Sequence, residues 1–577
     1  MNQSRLIFYF GLIAAAIGLS IYFDEPVAKP QQKTTATQVG TRREPTVSKA
    51  VPTATNEAEA KANAKARLGR QKLTRLTTPL YELDVSNLNV GVAHVRLKGQ
   101  RYRNEDGPID LVTTTQEEFL PLGVRVTGIP LSSATWTPER IDSHTVVFRT
   151  QADGVQVARK IQTTDASYGL WITTTFQNRT THPRTLTVSE VNHHYVTRDQ
   201  EGGSGMFAAR AAGISQALCK HAEDLERTDR STLTEDGAKT FKVGVRYVGL
   251  ENAHFLQAVF ADRPQDVVCR LSVQDRGRPE PIGALFEAAL SYPTVTIAPG
   301  AAVTYRVGAF FGPKMPEDLA RVGHGLPGAI DLGFFAQISQ GLTWLLREIH
   351  KRVPNWGLAI ILLTILVKLV LYPLTERSFR SMARLRQLKP EMDRINEMYA
   401  SDREKKGAAV MELYRKQGIN PMGGCLPQLL QLPIWFALYT SLSTNVELFH
   451  APFFLWWQDL SGPDPFYVLP LALGVLMFVQ QKITPNTMDP AQAKMMLYMM
   501  PVMITAFMLF LPAGLCLYMF TNSALSIGQQ KLIEHRMDAA SPPAGSPPSA
   551  ETAASEGPGD SATTSSNPKS RRPRRGR

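Results

Sequence analysis

The run AIILLTILVKLVLYPLT, residues 359–375, is apolar apart from one cation, Lys368. An ammonium at the centre of a membrane helix costs about 2.5–3.5 kcal/mol on insertion scales. Such a group attracts an anion, pairs with a buried carboxylate, or holds water inside the bilayer. Thr364 and Tyr372 stand one turn to either side and share its helical face. Later apolar runs add Gln428 and Gln431, then Tyr518, Thr521, Asn522 and Ser523. Their apolar cores hold no Asp or Glu, so the pairing reading lacks a partner and a hydrated cavity is expected. Singly, each polar residue is equally explained by ordinary hydrogen bonding between helices.

A second cluster is chemically softer. Met495, Met496, Met499, Met500, Met503 and Met508 crowd one apolar run. Methionine adapts to varied apolar partners. Met495, Met499 and Met503 recur every four residues and form a candidate slide for hydrophobic segments; lipid-facing filler is the other reading. Enzyme chemistry is not in view. There is no Walker A sequence, and EGGSGM carries Met206 where a nucleophile elbow needs glycine. His193 and His194 sit in an expected strand without an organised carboxylate. The four cysteines show no metal-ligand or CxxC spacing, although Cys219 and Cys269 could pair in an oxidising compartment. The expectation is a protein that is not an enzyme and needs no cofactor or metal.

These groups must be positioned by membrane elements. Residues 6–23 form an apolar stretch behind Arg5 with no small-x-small cleavage site after it, so an uncleaved anchor over 1–23 is expected rather than a cleaved leader. Residues 24–75 lack hydrophobic periodicity and read as a flexible linker. Residues 76–330 hold many short runs of alternating β-branched and aromatic residues punctuated by Gly, Pro, Asn and Asp, which predicts an all-β sandwich. Residues 331–351 place Phe334, Phe335, Ile338, Leu342, Leu345, Leu346 and Ile349 at helical spacing, as for an interfacial helix; packing on the β domain is the alternative. Spans are expected at 356–375, 423–444, 466–481, 495–511 and 513–532, the last two divided by the Pro and Gly of LPAG. The expected fold is therefore a polytopic α-helical membrane protein with six spans, an N-terminal anchor plus a five-helix core, and a large all-β sandwich domain.

Charge orients the spans. Residues 376–421 carry eleven Lys or Arg, whereas 445–465 carry none but hold Glu447, Asp459 and Asp464. The positive-inside rule puts the first loop in the cytoplasm and the second outside, with both termini inside. Two helices separated by a polar break at 402–407 make the basic loop a helical hairpin. The tail 537–577 is rich in Ala, Ser, Pro and Gly, reads as disordered, and ends KSRRPRRGR, with six positive charges in nine residues. That cluster suits anionic lipid or ribosomal RNA.

ILVKLVLYPLT, INPMGGCLPQLLQLPIWFALY, APFFLWWQDLSGPDPFYVLP and LPAGLCLYMFTNSALSIGQQ resemble the core of the YidC membrane protein insertases and their mitochondrial and chloroplast relatives. VTIAPGAAVTYRVGAFFGPK resembles the end of the periplasmic domain of the Gram-negative form. The resemblance implies a bacterial inner-membrane insertase and chaperone with a groove open to the cytoplasm and sideways to lipid. In that groove a positive residue, matched here by Lys368, attracts the polar part of a client. Many members carry Arg there; Lys keeps the charge without the bidentate fork. Where the family often has two adjacent tyrosines, this chain reads Tyr518–Met519. The resemblance also implies a β-supersandwich like sugar-binding folds, and as partners nascent membrane proteins, the Sec translocon (SecYEG and SecDF), the ribosome, the signal-recognition-particle receptor and membrane lipids. The rival readings are a channel or secondary transporter, and a membrane-tethered periplasmic carbohydrate-binding protein. A transporter would usually show repeated halves, and none is found here.

Overall fold

The computed structural model describes residues 71–540, apart from 105–106, 132–133, 199–215, 223, 263–265, 277–281, 400–401, 419–425 and 484–489. Side chains at 381–383, 385–386, 389, 403, 426–430, 490–493 and 537–540 are also outside the description. The expected anchor, residues 24–70 of the expected linker and residues 541–577 of the expected tail thus lie outside the described residues, whereas the linker's expected end is already a strand, Leu73–Thr77, and the tail's expected start still belongs to the helix Ala513–Ala540.

Strand alternation builds the first half of the molecule. Gly169–Asn178 buries every second side chain and pairs on one side with Ala302–Pro313 and on the other with Val155–Thr163, both antiparallel. Phe255–Ala261 flanks Ala302–Pro313 and extends this to a nine-stranded sheet. A six-stranded sheet forms around Arg184–Thr197, which pairs with Gly283–Ser291. The shared core includes Phe148, Phe176, Phe260, Phe286 and Phe310. Cys219, in the larger sheet, is bonded to Cys269 in the smaller, with Cα atoms 6.4 Å apart. One inward position of Val155–Thr163 breaks the apolar pattern: Arg159, 0% exposed, donates twice to Glu190 at 2.7 Å, and also to Thr174 and the Leu122 carbonyl.

Two short helices, α1 (Arg230–Glu235) and α2 (Pro316–Val322), belong to this domain. The helical half follows: α3 (Ala336–Arg352), α4 (Trp356–Gln387), α5 (Lys389–Met398), α6 (Arg403–Lys416), α7 (Leu426–Thr444), α8 (Val468–Ile483), α9 (Pro490–Met508) and α10 (Ala513–Ala540). Among the described residues one segment, Trp356–Arg380, is long and apolar enough to cross a membrane; Val468–Ile483 and Lys494–Met508 are shorter apolar helices. α4 packs on α10, and α8 on both α9 and α10. Gly357 meets the Phe453 ring so closely that a Cβ has no room.

One sequence reading is refined and one needs correction. The helix expected from 376 onward is present and is continuous with α4, which runs unbroken through Pro373 to Gln387. The polar break expected over 402–407 is mostly helix: Asp402 caps α6 by accepting from the Lys405 amide, and α6 begins at Arg403. α5 and α6 then pack through Leu388, Met392 and Tyr414.

The halves are joined by specific contacts. Phe449 packs against Phe255 and His254, and Val446 enters the β core. Arg347 of α3 bonds Glu317 of α2 at 2.8 Å and also Glu447, in the loop after α7.

Candidate functional site

α4 carries Lys368 on the face turned into the helical bundle. Its neighbours in sequence, Leu369 and Val370, are exposed, whereas Lys368 is only 8% exposed. Its Nζ donates to Ser526 Oγ of α10 at 2.7 Å. That hydroxyl donates in turn to the Asn522 carbonyl at 2.8 Å. Among the described residues no carboxylate lies within ion-pair distance of Lys368. The ammonium is therefore held by a neutral acceptor, which fixes its position without cancelling its charge.

The remaining candidates divide into groups. Thr364 is buried one turn before Lys368, but its hydroxyl donates to its own helix at the Ile360 carbonyl, 2.7 Å away. Tyr372 is half-buried one turn after it. Gln431 of α7 donates to the Tyr518 hydroxyl at 3.1 Å. Tyr518, Asn522 and Ser526 fall four residues apart and share one face of α10, so two polar clasps are presented about 12 Å apart. Gln428 lies in α7, but its side chain is outside the described residues. Met519, standing beside Tyr518, accepts from Trp435 Nε1 through sulfur at 3.4 Å. Met495, Met499 and Met503 are exposed along one stripe of α9.

Ser526 is the residue that sequence reading missed. A serine inside an apolar helix is common, and nothing local says that it meets a lysine 158 residues away. A second miss concerns His193. It does have a carboxylate: strand pairing sets it opposite Glu287, with Nε2 and Oε2 3.1 Å apart. Burial pulls the Glu287 carboxyl upward, but hydrogen bonds from His193 and Arg125 and their charges prevail and hold it down at about 2. His194, next along the strand, points into the core, where loss of solvent lowers it to about 3.

A helix long and apolar enough to cross a bilayer, a cation buried within its bundle and a sheet-rich domain preceding it fit a membrane protein with a large domain outside the lipid. Comparison with known proteins makes this specific. The family model described as 60Kd inner membrane protein matches residues 348–540, and that of the YidC periplasmic domain matches residues 73–345. The chain is similar to the membrane protein insertase YidC of Anaeromyxobacter sp. (strain K), 35% identical over 495 residues, covering 82% of this chain and 87% of that protein. The same protein of Methylobacillus flagellatus is 33% identical over 545 residues, covering 89% and 93%. A crystal structure of an active YidC insertase with its first transmembrane domain resolved aligns with 79% of this chain and 92% of that one, at 18% identity and a TM-score of 0.34. The chain belongs to the YidC family: it is a membrane protein insertase of the inner membrane, with a periplasmic domain.

Proposed function

We propose that insertion works by giving the polar tail of a client a charged, partly hydrated stop inside the bilayer, and that Lys368 supplies the charge. The observation carrying this reading is that Lys368 is held by the Ser526 hydroxyl at 2.7 Å and by no carboxylate among the described residues. A saturated ion pair has little left to offer an incoming anion; a hydroxyl-held ammonium keeps most of its field. A client carboxylate entering the bundle exchanges water for this ammonium and for the hydroxyl and amide groups of Thr364, Tyr372, Gln428, Gln431, Tyr518 and Asn522. Its apolar segment partitions sideways into lipid along Met495, Met499 and Met503, driven by hydrophobic transfer. The membrane potential adds about 2.3 kcal/mol per charge per 100 mV for acidic tails moving outward. No nucleotide and no covalent step is required.

The same reading has six spans, with both termini in the cytoplasm. The basic hairpin of α5 and α6 meets clients first, and the C-terminal basic cluster meets the ribosome. The Sec translocon (SecYEG and SecDF) and the signal-recognition-particle receptor are its proposed partners.

The test is insertion of a single-span client with an acidic external tail into proteoliposomes, scored by protease protection. Lys368→Arg retains activity and Lys368→Leu loses at least about tenfold, equivalent to about 1.4 kcal/mol. Full activity of Lys368→Leu at equal protein level would overturn the charge mechanism.

A further inference from the structure

α3 and α4 enclose an apolar groove of about 340 Å³ that Lys368 does not line. One wall is Leu362, Ile365, Leu366 and Leu369, which repeat at helical spacing on a single face of α4. The other is the C-terminal end of α3, through Ile349 and Val353. Among the described residues Arg352 is the one charged residue lining the groove. From Leu362 to Leu369 the wall runs roughly 10 Å along the helix axis. Leu366 is 39% exposed and Leu369 63%, on a helix long and apolar enough to cross a membrane.

Charge decides what fits. Lys351 and Arg352 both approach Glu348, at 2.6 and 3.7 Å, so the three together carry one net positive charge. Arg352 also donates to the Glu348 carbonyl at 2.8 Å, yet its side chain remains 75% exposed. Because the periplasmic domain leads directly into α3, the cation stands at the outer membrane–water boundary and the leucines below it at acyl-chain depth. A linear apolar slot capped by one net cation at headgroup level matches a single class of molecule.

We infer that this groove is a binding site for an anionic glycerophospholipid of the outer leaflet, one acyl chain lying along α4 and its phosphate against Arg352. The lipid glues the interfacial helix to the membrane helix and is separate from Lys368, which does not line the groove. A zwitterionic lipid fills the slot equally well but gains less at the mouth, because its own amine offsets the phosphate. Headgroup preference thus resides in Arg352, and occupancy in the leucine wall.

The full chain in detergent, titrated with phosphatidylglycerol or phosphatidylethanolamine of equal chain length and read by native mass spectrometry, tests both parts. The wild type should retain one phosphatidylglycerol in preference to phosphatidylethanolamine. Arg352→Gln should lower that retention about fivefold, as expected for one cation near an anionic lipid, and Arg352→Lys should restore it. Leu366→Trp, which fills the slot, should reduce retention of both lipids. Equal retention of the two lipids by the wild type would overturn the headgroup assignment. Unchanged retention in both Arg352→Gln and Leu366→Trp would mean annular lipid only. A second copy of the chain occupying the groove, seen as a lipid-insensitive dimer, would equally overturn it.

Discussion

Two of the cations buried among the described residues, Arg159 and Lys368, are treated in opposite ways. Arg159, inside the β domain, is surrounded by a carboxylate in bidentate contact, a threonine and a carbonyl. Lys368, inside the helical bundle, has one serine hydroxyl. Both positions are costly for a charge. In the first the cost is offset within the fold, so nothing remains for an outside molecule and the pair fixes how two strands meet. In the second the offset is incomplete, and on the proposed mechanism the missing counter-charge is the part that a client brings. On that proposal a structural cation and a working one are told apart by their partners rather than by their depth.

The sharpest way to break this contrast is to remove Arg159. Arg159→Leu strands Glu190 in the core and should destabilise the β domain by about 3–5 kcal/mol, read as lost amide-exchange protection in the full chain. Acid strikes the same domain. The folded pKa of His194, about 3, lies below its ordinary 6.5, so the unfolded chain takes up the proton first and stability falls as pH drops from 6.5 toward 3. At pH 4.5 the loss is roughly 2–3 kcal/mol. Glu287, held at about 2 against an ordinary 4.5, extends the loss below that. A urea midpoint that is flat from pH 7 to 4 would contradict the burial of His194.

The helical bundle should answer differently. Lys368→Leu removes an under-partnered charge, so its melting temperature should match or exceed that of the wild type even as insertion fails; a large drop would make Lys368 a structural residue like Arg159. Ser526→Ala is the finest probe. It removes one hydrogen bond to a charged group, about 1–3 kcal/mol if nothing replaces it. It should slow insertion severalfold while leaving dependence on an acidic client tail intact.

The legible parts of the molecule were those with a short period. Alternation along GLWITTTFQN and VQVARKIQT marks strands, and in the second the arginine falls in the inward phase, a signal that a buried partner exists somewhere. Lys368 stands out because none of the other sixteen residues in its run is charged. What could not be read is which distant residue answers each of these groups. Glu190, Glu287 and Ser526 are ordinary in their own strands or helices and acquire meaning only through pairing register or helix packing. The polar stretch 402–407 was also read as a break, whereas Asp402 caps a helix that begins at Arg403.

The bond between Cys219 and Cys269 has a consequence for how the protein matures. It joins strands 50 residues apart in the chain and belonging to different sheets. It forms only once both have reached an oxidising compartment, which the periplasm is and the cytoplasm is not. The chain therefore carries its own record of export: a molecule whose domain has crossed has two alkylatable thiols fewer, after denaturation, than one retained inside. Counting modified thiols on newly made chains dates the crossing of the insertase's own domain, without any added reporter.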